Sequence, residues 1–552
     1  MIRSLAVYVT MFIISCLLVN CKKSETPISP PISITLNQSE FTLRKEQSMG
    51  IRLLAEIKNA QSGEPQEVTW TSENPRIASV KPDGTVWAEA AGETYIVATL
   101  VHNKGTARCK IIVTDVNDYK FRLILKDKGS SGYTLADPSA YLSTKAIERR
   151  KKRNIAIDAT DLPISTAYLK AIEEAGGKIV SKSKWLNTVS IATSDVLLVD
   201  KFKALPFVQD VVIVWEGRRQ TPSRQYTDAP QSVFNHSSQT SFDYGAASNN
   251  IHISNGQALH QAGFKGANID IAVIDAGFVN LKANAAFSRV NIKGARSFIY
   301  EDDNPYATDD HGVWVSSCMA VNIPGKYVGS APEANYWFLR TEDQSSEHPI
   351  EEDYWVAAAE FADSVGVDII NSSLTYATGY YRPADSYKQE DMDGKTAFAT
   401  RGANLAARKG ILIVNCAGND RTWVGTPADS PDVLTIGSVE SNKTLAQHTS
   451  WGVTADGRFK PDVMAMGAGA GVINAQGNAE DRSGTSYASP IICGLAACLW
   501  QAYPQLTNKE IIAVIRQSGD RADKPELPFG FGVADMKKAM ELADALVHKK
   551  YP

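Results

Sequence analysis

Between residues 251 and 552, short apolar runs alternate with longer stretches of helical periodicity. The runs 269–274, 367–370, 411–414 and 433–436 are bounded by turn residues, and 351–364 and 396–409 read as helices between them. This alternation predicts a mainly parallel sheet covered by helices on both faces. In such α/β domains functional groups collect beyond the carboxyl ends of the strands. Upstream the pattern changes twice. Residues 33–116 carry alternating strands such as Glu67-Val68-Thr69-Trp70-Thr71, with Asp83-Gly84 as a hairpin turn signal, and predict a β-sandwich. Residues 119–217 mix two helices (142–153 and 165–175, the second stopped by Gly176-Gly177) with strands at 188–192 and 208–214, an α+β unit. The basic run Arg149-Arg150-Lys151-Lys152-Arg153 reads as a solvated helix face.

The amino terminus departs from all of these. Arg3 precedes an apolar run from Leu5 to Val19, 15 residues long. A spanning helix needs about 20, so the run fits the apolar region of a signal peptide better than an anchor helix. It ends at Leu18-Val19-Asn20-Cys21 and turns polar at Lys22-Lys23-Ser24. Cys21 resembles the lipidated cysteine of a bacterial lipoprotein, although Asn20 stands where a small residue is usual; Cys16 is the alternative. The expected organisation is a signal at 1–21, a linker at 22–32, the sandwich at 33–116 and the α+β unit at 119–217. A polar linker at 218–250 and the α/β domain at 251–552 complete it.

With 552 residues, 43% hydrophobic and 21% charged, the chain has the composition of a multidomain globular protein, and its net charge of −4 argues against a nucleic-acid partner. Seven cysteines without paired spacing are not a disulfide framework, though one bridge among Cys318, Cys416, Cys493 and Cys498 stays open. The histidines lack the H-E-x-x-H spacing of a zinc enzyme, so no metal site is expected. Asp302, Asp303, Asp309 and Asp310 read as solvated loop charge, with a weak calcium site as the alternative.

Four segments of the α/β domain carry groups suited to one chemistry. Asp275 follows an apolar strand and precedes Ala276-Gly277. His311 opens the helical segment Asp310-His311-Gly312-Val313. Asn419 ends a strand in Cys416-Ala417-Gly418-Asn419, where its amide could serve a developing oxyanion or merely form an Asx-turn. Ser486, in Ser483-Gly484-Thr485-Ser486-Tyr487-Ala488-Ser489-Pro490, sits at a helix start, where free N–H groups and the positive dipole end favour a tetrahedral anion; Gly484 is expected to allow a sharp turn. Singly, each has a plain structural reading. Their order and setting together resemble the subtilase (subtilisin-like) family of serine peptidases over residues 251–552. Gly329-Ser330-Ala331-Pro332, Asn371-Ser372-Ser373-Leu374, Pro427-Ala428 and Lys460-Pro461-Asp462 add to the match.

The resemblance implies a triad of Asp275, His311 and Ser486, with Asn419 in the oxyanion hole. It implies a peptide substrate extended against Ser372, Ser373, Leu374 and Gly418, and no cofactor; the family's frequent calcium site finds no carboxylates at 322–329. Ala276, Val313, Trp314 and Thr375 depart from the family pattern without removing a catalytic atom. The 119–217 unit resembles a subtilase propeptide. The sandwich resembles the bacterial Ig-like domain group 2, on the run Val68 to Pro75, then Ile77-Ala78-Ser79-Val80, Asp83-Gly84 and Ala91-Gly92. The expected function is a self-processing endopeptidase of the bacterial cell envelope, tethered to the membrane by lipid at Cys21 and acting on proteins or peptides. The alternatives are an adhesion protein with a vestigial peptidase domain and a hydrolase of small esters or amides.

Overall fold

The computed structural model describes residues 32–45, 50–60, 66–102, 105–114, 118–217, 243–299, 304–343 and 347–550. Cys16, Cys21, Asp302, Asp303 and most of the 218–250 segment lie outside them. The chain divides into two compact units, Met1–Val116 and Asn117–Pro552.

The first unit is a β-sandwich. Strands Glu40–Arg44, Thr106–Thr114, Gly92–Leu100 and Val68–Ser72 pair side by side, and Ile51–Arg52, Thr85–Ala88 and Ala78–Val80 form a second, smaller sheet. Alternate residues of Gly92–Leu100 are buried, as a two-residue period on one packed face requires. Ile96, Cys109, Ile111 and Val113 meet Leu53, Ala78 and Val86 in its core. The Asp83-Gly84 turn forms with Gly84 at φ +83°.

The second unit begins with a four-stranded antiparallel sheet ordered Lys178–Ser183, Thr188–Thr193, Asp118–Leu125, Val208–Gly217. Helices Thr144–Lys152 and Thr166–Glu174 accompany it. Here the reading of the basic run needs correction. Lys151 and Lys152 are exposed, but Arg149 and Arg150 are buried. Both guanidiniums pair with Asp363, and Arg150 also meets Asp161 at 3.1 Å. The partner Asp363 lies more than 200 positions away in sequence, so local charge could not reveal it.

Within the α/β part we number the sheet strands and flanking helices in chain order: β1 Asp270–Asp275, β2 Asn291–Ser297, α1 His311–Ala320, β3 Asn335–Arg340, α2 Ile350–Val365, β4 Ile369–Ser372, α3 Phe398–Arg408, β5 Leu412–Cys416, β6 Val433–Val439, β7 Val463–Met466 and α4 Thr485–Ala502. The strands lie in the order β2-β3-β1-β4-β5-β6-β7, every neighbouring pair parallel. Successive side chains of β1 feed opposite layers, Ile271 and Val273 packing with α1 and α4, and Ala272 and Ile274 with α2 and α3. This two-sided burial explains why the strands read as unbroken apolar runs. Residues 243–250, read as linker, instead pack onto the domain: Tyr244 is buried, and Asn250 Nδ2 donates to the Gly471 carbonyl at 2.9 Å.

Candidate active site

β1 delivers Asp275, fully buried, at its carboxyl end. The Asp275 Oδ1 atom accepts from Ala276 N–H (2.8 Å) and from His311 Nδ1 (2.7 Å). His311 reaches it because α1 starts hard against the turn after β1. Gly312 N–H donates to the Gly277 carbonyl at 3.0 Å, and a Cβ at Gly312 would fall 2.6 Å from the Phe278 ring. Asp309, left-handed at φ +54°, accepts the His311 N–H at 2.8 Å and fixes the helix start. Burial disfavours the imidazolium, but Asp275, through its charge and hydrogen bond, and then Asp309 and Asp310 outweigh it and hold the His311 pKa above its ordinary value.

Ser486 is the second residue of α4. Thr485 N–H is taken by Asn419 Oδ1 (2.9 Å) and Tyr487 N–H by the Gly484 carbonyl (3.1 Å). The Ser486 N–H between them has no acceptor among the described residues, as expected of a first-turn donor. Pro490 lacks the N–H that would bond the Ser486 carbonyl within the helix. That carbonyl accepts the Ser373 hydroxyl instead (2.9 Å), tying the serine's backbone to the end of β4. The Ser486 Oγ donates to the Ser373 carbonyl at 3.4 Å, and among the described residues no hydrogen bond joins it to His311. Catalytic hydrogen bonds of this kind often close only when substrate is bound.

Asn419 follows Gly418, which adopts φ +101° and accepts the Ser450 N–H at 3.0 Å. The amide oxygen of Asn419 is doubly held, by the Thr485 N–H and its hydroxyl (3.0 Å). This leaves the Nδ2 hydrogens to donate. Gly484 lies close by: a Cβ built on it would sit 3.7 Å from Nδ2, an ordinary contact distance. Gly484 itself is extended (φ 163°, ψ 149°), not the sharp turn expected from its sequence.

Of the residues expected to line substrate, Ser373 bonds Ser486, Gly418 N–H donates to the Thr485 hydroxyl at 3.2 Å, and the Ser372 side chain turns inward and accepts from Trp355 Nε1 at 3.0 Å. Sequence reading passed over Thr485 and Ser373 as holders of Asn419 and Ser486; the only signal was their place inside the two motifs. Cys109, Cys318, Cys416, Cys493 and Cys498 are all free and buried. Among the described residues no group of three or more His, Cys, Asp or Glu is placed to hold a metal ion.

Residues 266–533 match the subtilase family, residues 120–229 the peptidase S8 propeptide domain of Bacteroidota, and residues 32–111 the bacterial Ig-like domain of group 2. Subtilisin E of Bacillus subtilis (strain 168) is 28% identical over 370 residues, 65% of this chain and 83% of its own. Subtilisin of Bacillus pumilus is 29% identical over 262 residues, 46% of this chain and 84% of its own. Among solved structures, MycP1 from Mycobacterium smegmatis aligns over 57% of this chain and 89% of its own, with 22% identity and a TM-score of 0.42.

Proposed function

Since this chain carries a subtilase-family domain and is a subtilisin-like serine endopeptidase, we propose that Asp275, His311 and Ser486 are its triad and Asn419 its oxyanion donor. The observation that carries the reading is the 2.7 Å His311–Asp275 hydrogen bond, beside a serine at the amino terminus of α4. Asp275 holds the Nδ1–H tautomer and stabilises the imidazolium. His311 takes the Ser486 proton as Oγ attacks the scissile carbonyl, then gives it to the leaving amine. The oxyanion is held by Asn419 Nδ2 and the Ser486 N–H. Substrate lies extended along the backbone of Ser372, Ser373 and Leu374, with Gly418 opposite. Hydrolysis of casein tests the activity. Phenylmethylsulfonyl fluoride should abolish it and a zinc chelator should not; the reverse pattern contradicts the mechanism.

We further propose that the exported enzyme is held at the bacterial envelope by lipid on Cys21, and that it cuts itself within residues 218–242. The motivating features are the short apolar run ending at Cys21 and the polar segment that starts within the carboxyl end of the propeptide match and runs beyond it. A palmitate analogue should label the wild type and not Cys21→Ser; label that persists there and disappears on changing Cys16 moves the anchor. Ser486→Ala should accumulate as one uncut chain, and cleavage of that purified variant at the same segment contradicts self-processing.

A further inference from the structure

Beside the triad lies a group of carboxylates that it does not use. Just past β3, Thr341 N–H donates to the Asp275 carbonyl at 3.1 Å, and Glu342 comes next. Glu342 Oε1 accepts the Tyr376 hydroxyl at 2.5 Å, and Tyr376 pairs its backbone with Thr426 (2.8 Å in both directions). Glu342 therefore faces the segment that continues from Ser373 to Tyr376. In the first turn of α2, Glu351 Oε1 accepts the Asp343 N–H at 3.0 Å, which sets its carboxylate against the neighbour of Glu342. Glu351 is 1% exposed, and its Oε2 is buried with no hydrogen-bond partner. Glu342 and Glu347 are half-buried, and the charges of both act on Glu351.

Among the described residues no lysine or arginine is ion-paired with Glu342, Glu347 or Glu351. The next carboxylates along α2 are fully used: Glu352 accepts from Tyr380, Tyr387 and the Ala399 N–H, and Asp353 pairs with Arg122. Burial above all, then the charges of Glu347 and Asp275, push Glu342 up to about 8 against the Tyr376 hydrogen bond, and burial with Glu342 and Glu347 raises Glu351 further. A buried acceptor without a donor is costly, and a cation entering here would supply both charge and donors. No three of these groups are placed to hold a metal ion, so the fitting cation is one carried on a long apolar stem.

We propose that Glu342 and Glu351, with Glu347 at the mouth, form a subsite for a lysine or arginine side chain of the substrate, upstream of the scissile bond. The side follows from proton transfer. His311 protonates the leaving amine, so downstream residues depart over the His311 edge, where Arg482 stacks on Trp314 at 4.1 Å. Upstream residues run along Ser373 to Tyr376, the segment whose hydroxyl holds Glu342.

This inference rests on the peptidase reading, and peptides differing only by arginine or its neutral isostere citrulline at each upstream position separate the two. The wild-type processed enzyme should favour arginine at one upstream position by about tenfold or more in kcat/KM, the scale of a charge-assisted buried contact. That ratio should collapse toward one in Glu351→Gln and in Glu342→Gln. Equal rates for arginine and citrulline at every upstream position overturn the subsite, even if both variants fail to fold. A preference that survives in both folded variants overturns the assignment to these carboxylates. A wild type that cuts neither peptide nor casein removes the peptidase reading itself.

Discussion

Thr485 grips the Asn419 amide oxygen through two donors, its backbone N–H at 2.9 Å and its hydroxyl at 3.0 Å, and so leaves Nδ2 as the end that can donate elsewhere. Asn419→Ala should lower kcat by about 10²–10³ with little change in KM, because the contact strengthens only in the transition state. Thr485→Val, which keeps the N–H and loses the hydroxyl, should fall between wild type and Asn419→Ala. Steady-state kinetics on one peptide series measures both, and a loss confined to KM would make Asn419 a turn residue.

The propeptide domain is locked to α2 by buried charge. Arg150 is 1% exposed and bridges Asp161 and Asp363, both fully buried. Breaking such a pair from one side leaves uncompensated charge, so Arg150→Met should cost about 3–5 kcal/mol. The exposed neighbour provides the control: Lys152→Met should stay within about 0.5 kcal/mol. Thermal unfolding of both changes in the Ser486→Ala background, where the chain is uncut, compares them, and equal melting temperatures would contradict the lock.

The pH profile follows from the charges around His311. The base must be neutral to accept a proton, and the pKa of His311 is raised above 6.5, so the acid limb of kcat/KM should lie above that value. Asp275 is the leading cause of the rise. Asp275→Asn should move the limb down and cut kcat by about 10⁴. Asp309→Asn, which can still accept the His311 N–H, should move the limb in the same direction with a smaller loss. An acid limb that stays in place in both variants would show that another group governs it.

Free thiols should be silent in the native protein. Burial pushes Cys109 up to about 11 and Cys318 and Cys416 up to about 12, and raises Cys493 and Cys498 as well. Reactivity needs thiolate and access. Ellman's reagent should therefore modify none of these five before denaturation and all of them after it, with reducing agent leaving activity unchanged. Reaction of any of the five in the folded enzyme would contradict the burial.

Much of the α/β fold that carries the candidate site is legible in the sequence. The apolar runs of β1, β5 and β6 and the groups at their ends could be read because burial on both faces leaves a local signature. What could not be read depends on partners distant in sequence. Arg149 and Arg150 look like solvent-facing charge until Asp363 meets them. Glu351 looks like a helix-start carboxylate until packing buries it. Residues 243–250 are polar enough for a linker, yet Tyr244 and Asn250 are claimed by the domain. Gly484 looks like a turn glycine in the sequence, yet its backbone is extended.

Mapping the residue modified by a fluorophosphonate probe tests the central claim most directly. Peptide mass spectrometry of the active enzyme should find the phosphonyl group on Ser486 alone, with labelling lost in His311→Ala and in denatured protein. Label on another serine, or full peptidase activity with Ser486 unmodified, would contradict the account.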